Sequence, residues 1–97
     1  DKWNVSARTM WAVVKCENRS LDPTVQSGHK YKKDSEKWGV KAGQREKSYG
    51  LVQIHLPDNR DVSYREAIDP DFALNFLAEG LSNGYGSRWT CWRNLQA

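Results

Sequence analysis

The sequence is short of several things, and each shortage removes a class of protein. Apolar stretches are brief, as at Trp11 to Val14, whereas a bilayer-crossing helix needs roughly 20 apolar residues in a row; no membrane span is expected. The two histidines, His29 and His55, stand apart from paired thiols or carboxylates, so the close ligand spacing of a metal site is missing and no metal is expected. Neither a phosphate-cradling glycine loop nor a serine-histidine-acid order is present, and no cofactor is expected. Residues Asp1 to Ser6 lack the basic start and apolar middle of a secretory leader, which leaves export open. Cysteine is limited to Cys16 and Cys91. Their spacing alone allows a disulfide that closes most of the chain into a loop, worth about 4 to 5 kcal/mol in the chain-entropy model, or two buried thiols in a reducing compartment.

What is present fits one small folded unit. A length of 97 residues, 38% hydrophobic and 28% charged, with five tryptophans, suits a single domain over 1–97 with one modest core. The net charge of +3 is unevenly spread: Gly28 to Lys47 holds seven Lys or Arg against three Asp or Glu, and the remainder holds eight against nine. Such a segment attracts polyanions, whether nucleic acid, a membrane surface or a wall bearing carboxylates.

Between Val5 and Asn18, Ala7, Met10, Trp11 and Val14 recur at helical spacing, which predicts a first helix with one buried face. Asn4 or Ser6 can cap its start, and Leu21-Asp22-Pro23 is expected to end it. The polar stretch from Ser27 to Ser48 has Tyr31, Trp38 and Val40 as its large apolar anchors and reads as a loop or irregular β-hairpin, a basic insertion over 28–47. Leu51 to Leu56 is long enough for a strand or one to two helical turns, and periodicity does not decide between them. Phe72, Ala73, Phe76, Leu77, Gly80 and Leu81 then mark the clearest helix, over Asp71 to Ser82, with Asp69 and Pro70 at its start and Asn83-Gly84 at its end. Gly80 lies on the apolar face, where it implies close packing. The segment from Gly84 to Trp92 reads as an aromatic-rich turn and tail.

Glu17 follows Met10, Val13 and Val14 by seven, four and three residues, so its carboxyl projects near the apolar face at the helix end. Apolar surroundings and the carbonyl end of a helix both disfavour the ionised form. A carboxyl that keeps its proton is what glycosidic cleavage asks of an acid. A surface glutamate paired with Arg19 or a lysine fits the same spacing.

Cys16-Glu17-Asn18-Arg19-Ser20-Leu21-Asp22-Pro23, Ser48-Tyr49-Gly50-Leu51-Val52-Gln53-Ile54 and Ala67-Ile68-Asp69-Pro70-Asp71-Phe72-Ala73-Leu74 occur in that order. Together they resemble the lytic transglycosylase or goose-type-lysozyme-like superfamily, with Val52 where that family's Gly-Leu-Met-Gln-Ile motif has methionine. With Trp89-Thr90-Cys91-Trp92 the resemblance covers residues from about 7 to 92. A cysteine just before the glutamate and another in a terminal Trp-x-Cys element are similar to small secreted members, including domains akin to resuscitation-promoting factors. The resemblance therefore implies a Cys16–Cys91 disulfide and an extracellular or cell-envelope location.

It also implies an α+β, predominantly α, lysozyme-like fold with a small β-hairpin and a substrate groove. Peptidoglycan glycan strands would be the partner of a monomer, with neither nucleic acid nor a membrane span involved. Glu17 would be general acid and then general base, removing a proton from the sugar's C6 hydroxyl as a 1,6-anhydro ring closes, so no second carboxylate is obligatory. Asp58 and Asp61 are the nearest candidates for one, and turn chemistry explains both as solvated loop residues. Ser48, Tyr49 and Gln53 would contact the sugar, although Gln53 can equally tie the loop backbone and Ser48 can serve the turn. Tyr85, Trp89 and Trp92 offer flat faces for sugar rings or for the core. The family's Ala-Tyr-Asn-Ala-Gly motif is missing, and Asn83-Gly84-Tyr85-Gly86 is a loose substitute. Two other classes fit parts of the sequence: a catalytically idle wall-binding module, and a nucleic-acid binder using the basic segment with Tyr31 and Trp38 as stacking residues.

Overall fold

A computed structural model describes residues 5–96. Helix α1 spans Ala7–Glu17, capped by Ser6, whose hydroxyl accepts the Thr9 amide at 3.4 Å; Asn4, the other expected cap, lies outside the described residues. The buried stripe of α1 is Met10, Val13 and Val14, while Trp11 is 43% exposed. Residues 10, 13, 14 and 17 form their own helical series, and that face, not the one with Trp11, turns inward. The helix stops at Asn18, before the expected Leu21-Asp22-Pro23. The Asn18 amide bonds the Val14 carbonyl, and its side chain donates to the carbonyls of Asp22 at 2.9 Å and Gly50 at 3.2 Å. An asparagine side chain that satisfies nearby backbone in this way competes with helix continuation.

Residues 19–47 hold no regular strand. They form an arm whose two limbs meet through isolated bridges at Lys30 with Arg45 and Ser35 with Val40, the irregular form of hairpin expected there. Strand β1 (Ser48–Tyr49) follows and pairs antiparallel with β2 (Ile54–His55), Ser48 opposite His55 and Tyr49 opposite Ile54. A bridge from Gln26 to Tyr49 adds the arm's root to the other side of β1. The turn between the strands depends on Gly50, which has φ 85°, and a Cβ placed there would overlap the Ala67 carbonyl oxygen. The Leu51 to Leu56 run is thus a turn and a short strand, continued by a 3-10 turn over Leu56–Asp58.

Helix α2 (Tyr64–Ala67) is begun by a capping box between Ser63 and Glu66, a signal present in the sequence and not read from it. Helix α3 (Pro70–Ser82) starts with Asp69 accepting the amides of Asp71 and Phe72, as a cap before a first-turn proline should. A 3-10 turn at Gly86–Arg88 leads to α4 (Thr90–Gln96), where a tail was expected. The structure is thus a small compact α+β fold, mostly helical, with a two-stranded antiparallel sheet.

The core gathers Val13 and Val14 from α1, Val52 and Ile54 from the turn and β2, and Leu77 from α3, all less than 2% exposed. Trp89 closes it: the indole lies where a Gly80 side chain would be, 2.7 Å from an added Cβ, and its Nε1 donates to the Val52 carbonyl at 2.9 Å. Cys16 and Cys91 form a disulfide with Cα atoms 5.9 Å apart, stitching the last turn of α1 to the first turn of α4.

Candidate functional site

The end of α1 opens onto a depression of about 890 Å³, with Glu17 and Gln53 on its wall and Tyr31, Lys30 and Glu46 contributed by the arm. Glu17 is half-buried there. Its position follows from the chain: Val13 and Val14 anchor the preceding turn in the core, Cys16 is covalently tied to Cys91, and the Cys91 amide donates to Glu17 Oε1 at 3.3 Å. That amide belongs to the first turn of α4, where no carbonyl of the same helix is available to it.

Burial raises the pKa of Glu17 above its ordinary value; the Cys91 amide opposes this, the negative Glu46 adds to it, and His29 and Arg93 oppose it. Removal from water thus outweighs a hydrogen bond that favours the charged form. No ion pair involves Glu17 among the described residues, so the alternative of a glutamate neutralised by Arg19 or a described lysine is not the arrangement found.

Gln53 is on the same wall, with its backbone at φ 52°. Its Nε2 donates to the carbonyls of Gly50 at 2.8 Å and Val25 at 3.3 Å. The amide therefore ties the loop while the residue borders the depression. It also borders a second depression of about 250 Å³, beside His55 and Phe76.

The other residues singled out from sequence are not gathered around Glu17. Ser48 is buried and its hydroxyl donates to Glu46 Oε1 at 2.9 Å, so it acts on the cleft through Glu46. Tyr49 packs edge-on against Tyr64, ring centroids 5.1 Å apart, and is not on the wall of the Glu17 depression. Tyr85 is 52% exposed with the Arg88 guanidinium 4.8 Å over its ring, and it too lies away from that wall. Trp89 is 4% exposed, leaving no face free for a sugar ring; filling the space above Gly80 consumes it. Trp92 is half-buried and packs against the core cluster and beside Gly86.

Several residues that matter at the site escaped the sequence reading. Glu46 sits two positions before Ser48, and alternate residues of an extended strand share a face, so that spacing was the available signal. Asn18 fastens the segment after Glu17 to the Gly50 turn. A further set joins the arm to the 3-10 turn: the Tyr31 hydroxyl is 2.8 Å from His55 Nε2, His55 Nδ1 is 2.9 Å from Asp58 Oδ2, and Trp38 Nε1 donates to Asp58 Oδ1 at 2.7 Å. Residues 24 positions apart meet here, which no local pattern foretells. Burial works against the charge of Asp58, but the bonds from His55 and Trp38 prevail and hold its pKa below the ordinary value. Asp58 is thus committed to anchoring the arm, Asp61 is exposed, and neither lines the Glu17 depression.

Among the described residues no group of three or more His, Cys, Asp or Glu side chains is arranged to hold a metal ion, and no helix is long and apolar enough to cross a membrane. Comparison of the chain with protein-family models, with curated proteins and with solved structures finds no match.

Proposed function

We propose that this chain is a peptidoglycan-cleaving glycosidase of lysozyme-like architecture. It cuts the β-1,4 bond between N-acetylmuramic acid and N-acetylglucosamine, with Glu17 as general acid and then general base. One observation carries the reading: a half-buried carboxyl whose pKa is raised by burial stands on the wall of an open depression shared with Gln53. A carboxyl that holds its proton toward neutral pH can hand it to the departing sugar oxygen.

The substrate is supported by the order of the three sequence motifs; Asn18 of the first bonds the Gly50 carbonyl of the second, and Gly50 lies against the Ala67 carbonyl of the third. The two depressions bordered by Gln53 would form the groove for a glycan strand. Release of 1,6-anhydro ends is the leading outcome, with the substrate's acetamido oxygen steadying the positive charge and Glu17 then accepting the C6 hydroxyl proton. Hydrolysis is the second outcome, favoured by the presence of Glu46 in the same depression. The enzyme would act as a monomer outside the cell or in its envelope, where its substrate lies and where a disulfide persists.

The test is digestion of purified peptidoglycan with mass spectrometry of the soluble products, beside the Glu17→Gln variant. Muropeptides should be released by the unmodified chain, and the variant should be slower by a factor of about 10² to 10⁴, the usual worth of a positioned acid. Equal clearance by Glu17→Gln would remove Glu17 from the chemistry. Binding to insoluble wall with no fragment released would leave only a wall-binding module.

A further inference from the structure

The geometry points to Glu46 as a second carboxylate of the Glu17 cleft, which takes a proton from water and so diverts part of the cleavage to hydrolysis. This rests on the reading of Glu17 as the acid and goes beyond it, because that reading needs only one carboxylate.

Glu46 is a built feature of the cleft. Its amide donates to the His29 carbonyl at 2.8 Å, its own carbonyl accepts Gln26 Nε2 at 3.1 Å, and its Oε1 accepts the Ser48 hydroxyl at 2.9 Å. The next amide along, that of Lys47, donates to the buried Tyr31 hydroxyl at 3.0 Å, which is in turn held by His55. The carboxylate is therefore fixed from its main chain, its side chain and its neighbour. Several lysines and arginines surround it in sequence, yet no ion pair neutralises it among the described residues. It is half-buried and lines the same depression as Glu17, from a different element of the fold. Its charge also reaches Glu17, being one of the influences that raise that group's pKa.

Two carboxylates in one cleft can divide the work of hydrolysis, one acid and one base. The bond from the sugar C1 to the bridging oxygen breaks, its electron pair stays with that oxygen, and the oxygen takes the Glu17 proton. A water oxygen then bonds to C1 with one of its lone pairs while one of its protons passes to the Glu46 carboxylate. Glu46 returns that proton to solvent and Glu17 regains one, so each hydrolytic event consumes one water. When the C6 hydroxyl reaches C1 first, the 1,6-anhydro end forms instead and Glu46 has no proton to take.

The experiment separates the two product types from purified peptidoglycan digested in ¹⁸O-labelled water by the unmodified chain, Glu17→Gln and Glu46→Gln. Label at new reducing ends reports hydrolysis, and unlabelled anhydro ends report the other route. The unmodified chain should give both. Glu46→Gln should lose labelled ends by about a hundredfold, the scale of one general base, while anhydro ends persist. Glu17→Gln should lose both. Exclusively anhydro products from the unmodified chain, or an equal fall of both products in a folded Glu46→Gln, would overturn the role of Glu46 and leave Glu17 standing. Full activity in Glu17→Gln would instead overturn the underlying reading. Should Glu46→Gln fail to fold, Glu46→Asp decides: drawing the carboxylate back should lower the labelled fraction, and an unchanged fraction would overturn the role of Glu46.

Discussion

The helical body and the arm over residues 19–47 are stabilised by different means. In the body, side chains from α1, the Gly50 turn, β2, α3 and α4 meet in a core with Val13, Val14, Ile54 and Leu77 almost free of solvent, and a disulfide ties its two ends. In the arm, Tyr31 and Val40 are the buried hydrophobic residues, and polar bonds do most of the holding. Arg45 reaches back to the carbonyls of Ser27 and Gln26, and the Tyr31, His55, Asp58 and Trp38 set fastens the arm to the body. Apolar burial is non-directional and cumulative, whereas a hydrogen bond contributes about 1 kcal/mol net and depends on geometry. Glu17 belongs to the first region and Glu46 to the second, so the cleft has one rigid side and one whose placement rests on a few polar contacts.

Three perturbations sharpen or break that contrast. The largest is removal of the disulfide by Cys16→Ser with Cys91→Ser. The sequence separation of 75 puts the cost at about 4.5 kcal/mol in the chain-entropy model, a large part of what a small domain has. Chemical denaturation should show it as a loss of global stability, and the Cys91 amide should lose its fixed place on Glu17. A loss too small to measure would mean that the core holds the body without its staple.

Tyr31→Phe is a smaller, local change. It deletes the hydroxyl that meets His55 and accepts the Lys47 amide, at a cost of about 1 kcal/mol, the net worth of a part-buried hydrogen bond. Hydrogen exchange should quicken at Gly43 and Glu46, whose amides bridge the limbs of the arm by donating to the carbonyls of Tyr31 and His29, with little change at Val14 and Leu77. Equal loss of protection at Val14 would show that arm and body open together.

The smallest effect is on stability in Glu17→Gln. A carboxyl whose folded pKa is raised binds more protons in the folded state than in the unfolded one, so its contribution falls as pH rises through that interval. Near neutral pH the variant should therefore have a Tm no lower than the parent's. Any advantage should vanish below the ordinary glutamate pKa of about 4.3, where both states are protonated. A Tm clearly below the parent's at neutral pH would mean that the Cys91 contact outweighs the cost of burial.

The helices at Ala7–Glu17 and Pro70–Ser82 were legible because amphipathic spacing and caps are local: Ser6, Asp69 and Pro70 act within a turn of where they stand. So was the close approach at Gly80, since a glycine on an apolar helix face has few other uses. Helix α4 was hidden because its aromatic residues signal packing and turn equally, and only the seating of Trp89 over Gly80 orders the tail behind it. Glu17 and Gln53, singled out from their motifs, line one depression. Trp89 was misread as a possible sugar platform because exposure is not written in a residue's identity.

By itself the chain determined the boundaries of α1 and α3 to within a few residues, the tight turn at Gly50, the cysteines available for pairing and the unusual apolar flank of Glu17. These depend on backbone geometry and side-chain chemistry over one or two turns. Only the tertiary structure decided which carboxylates share a cleft, that Asp58 anchors the arm while Glu46 lines the Glu17 depression, and that Trp89 is core. Those outcomes depend on contacts between residues tens of positions apart, whose energies exist only after the core has closed and the arm has been laid against it.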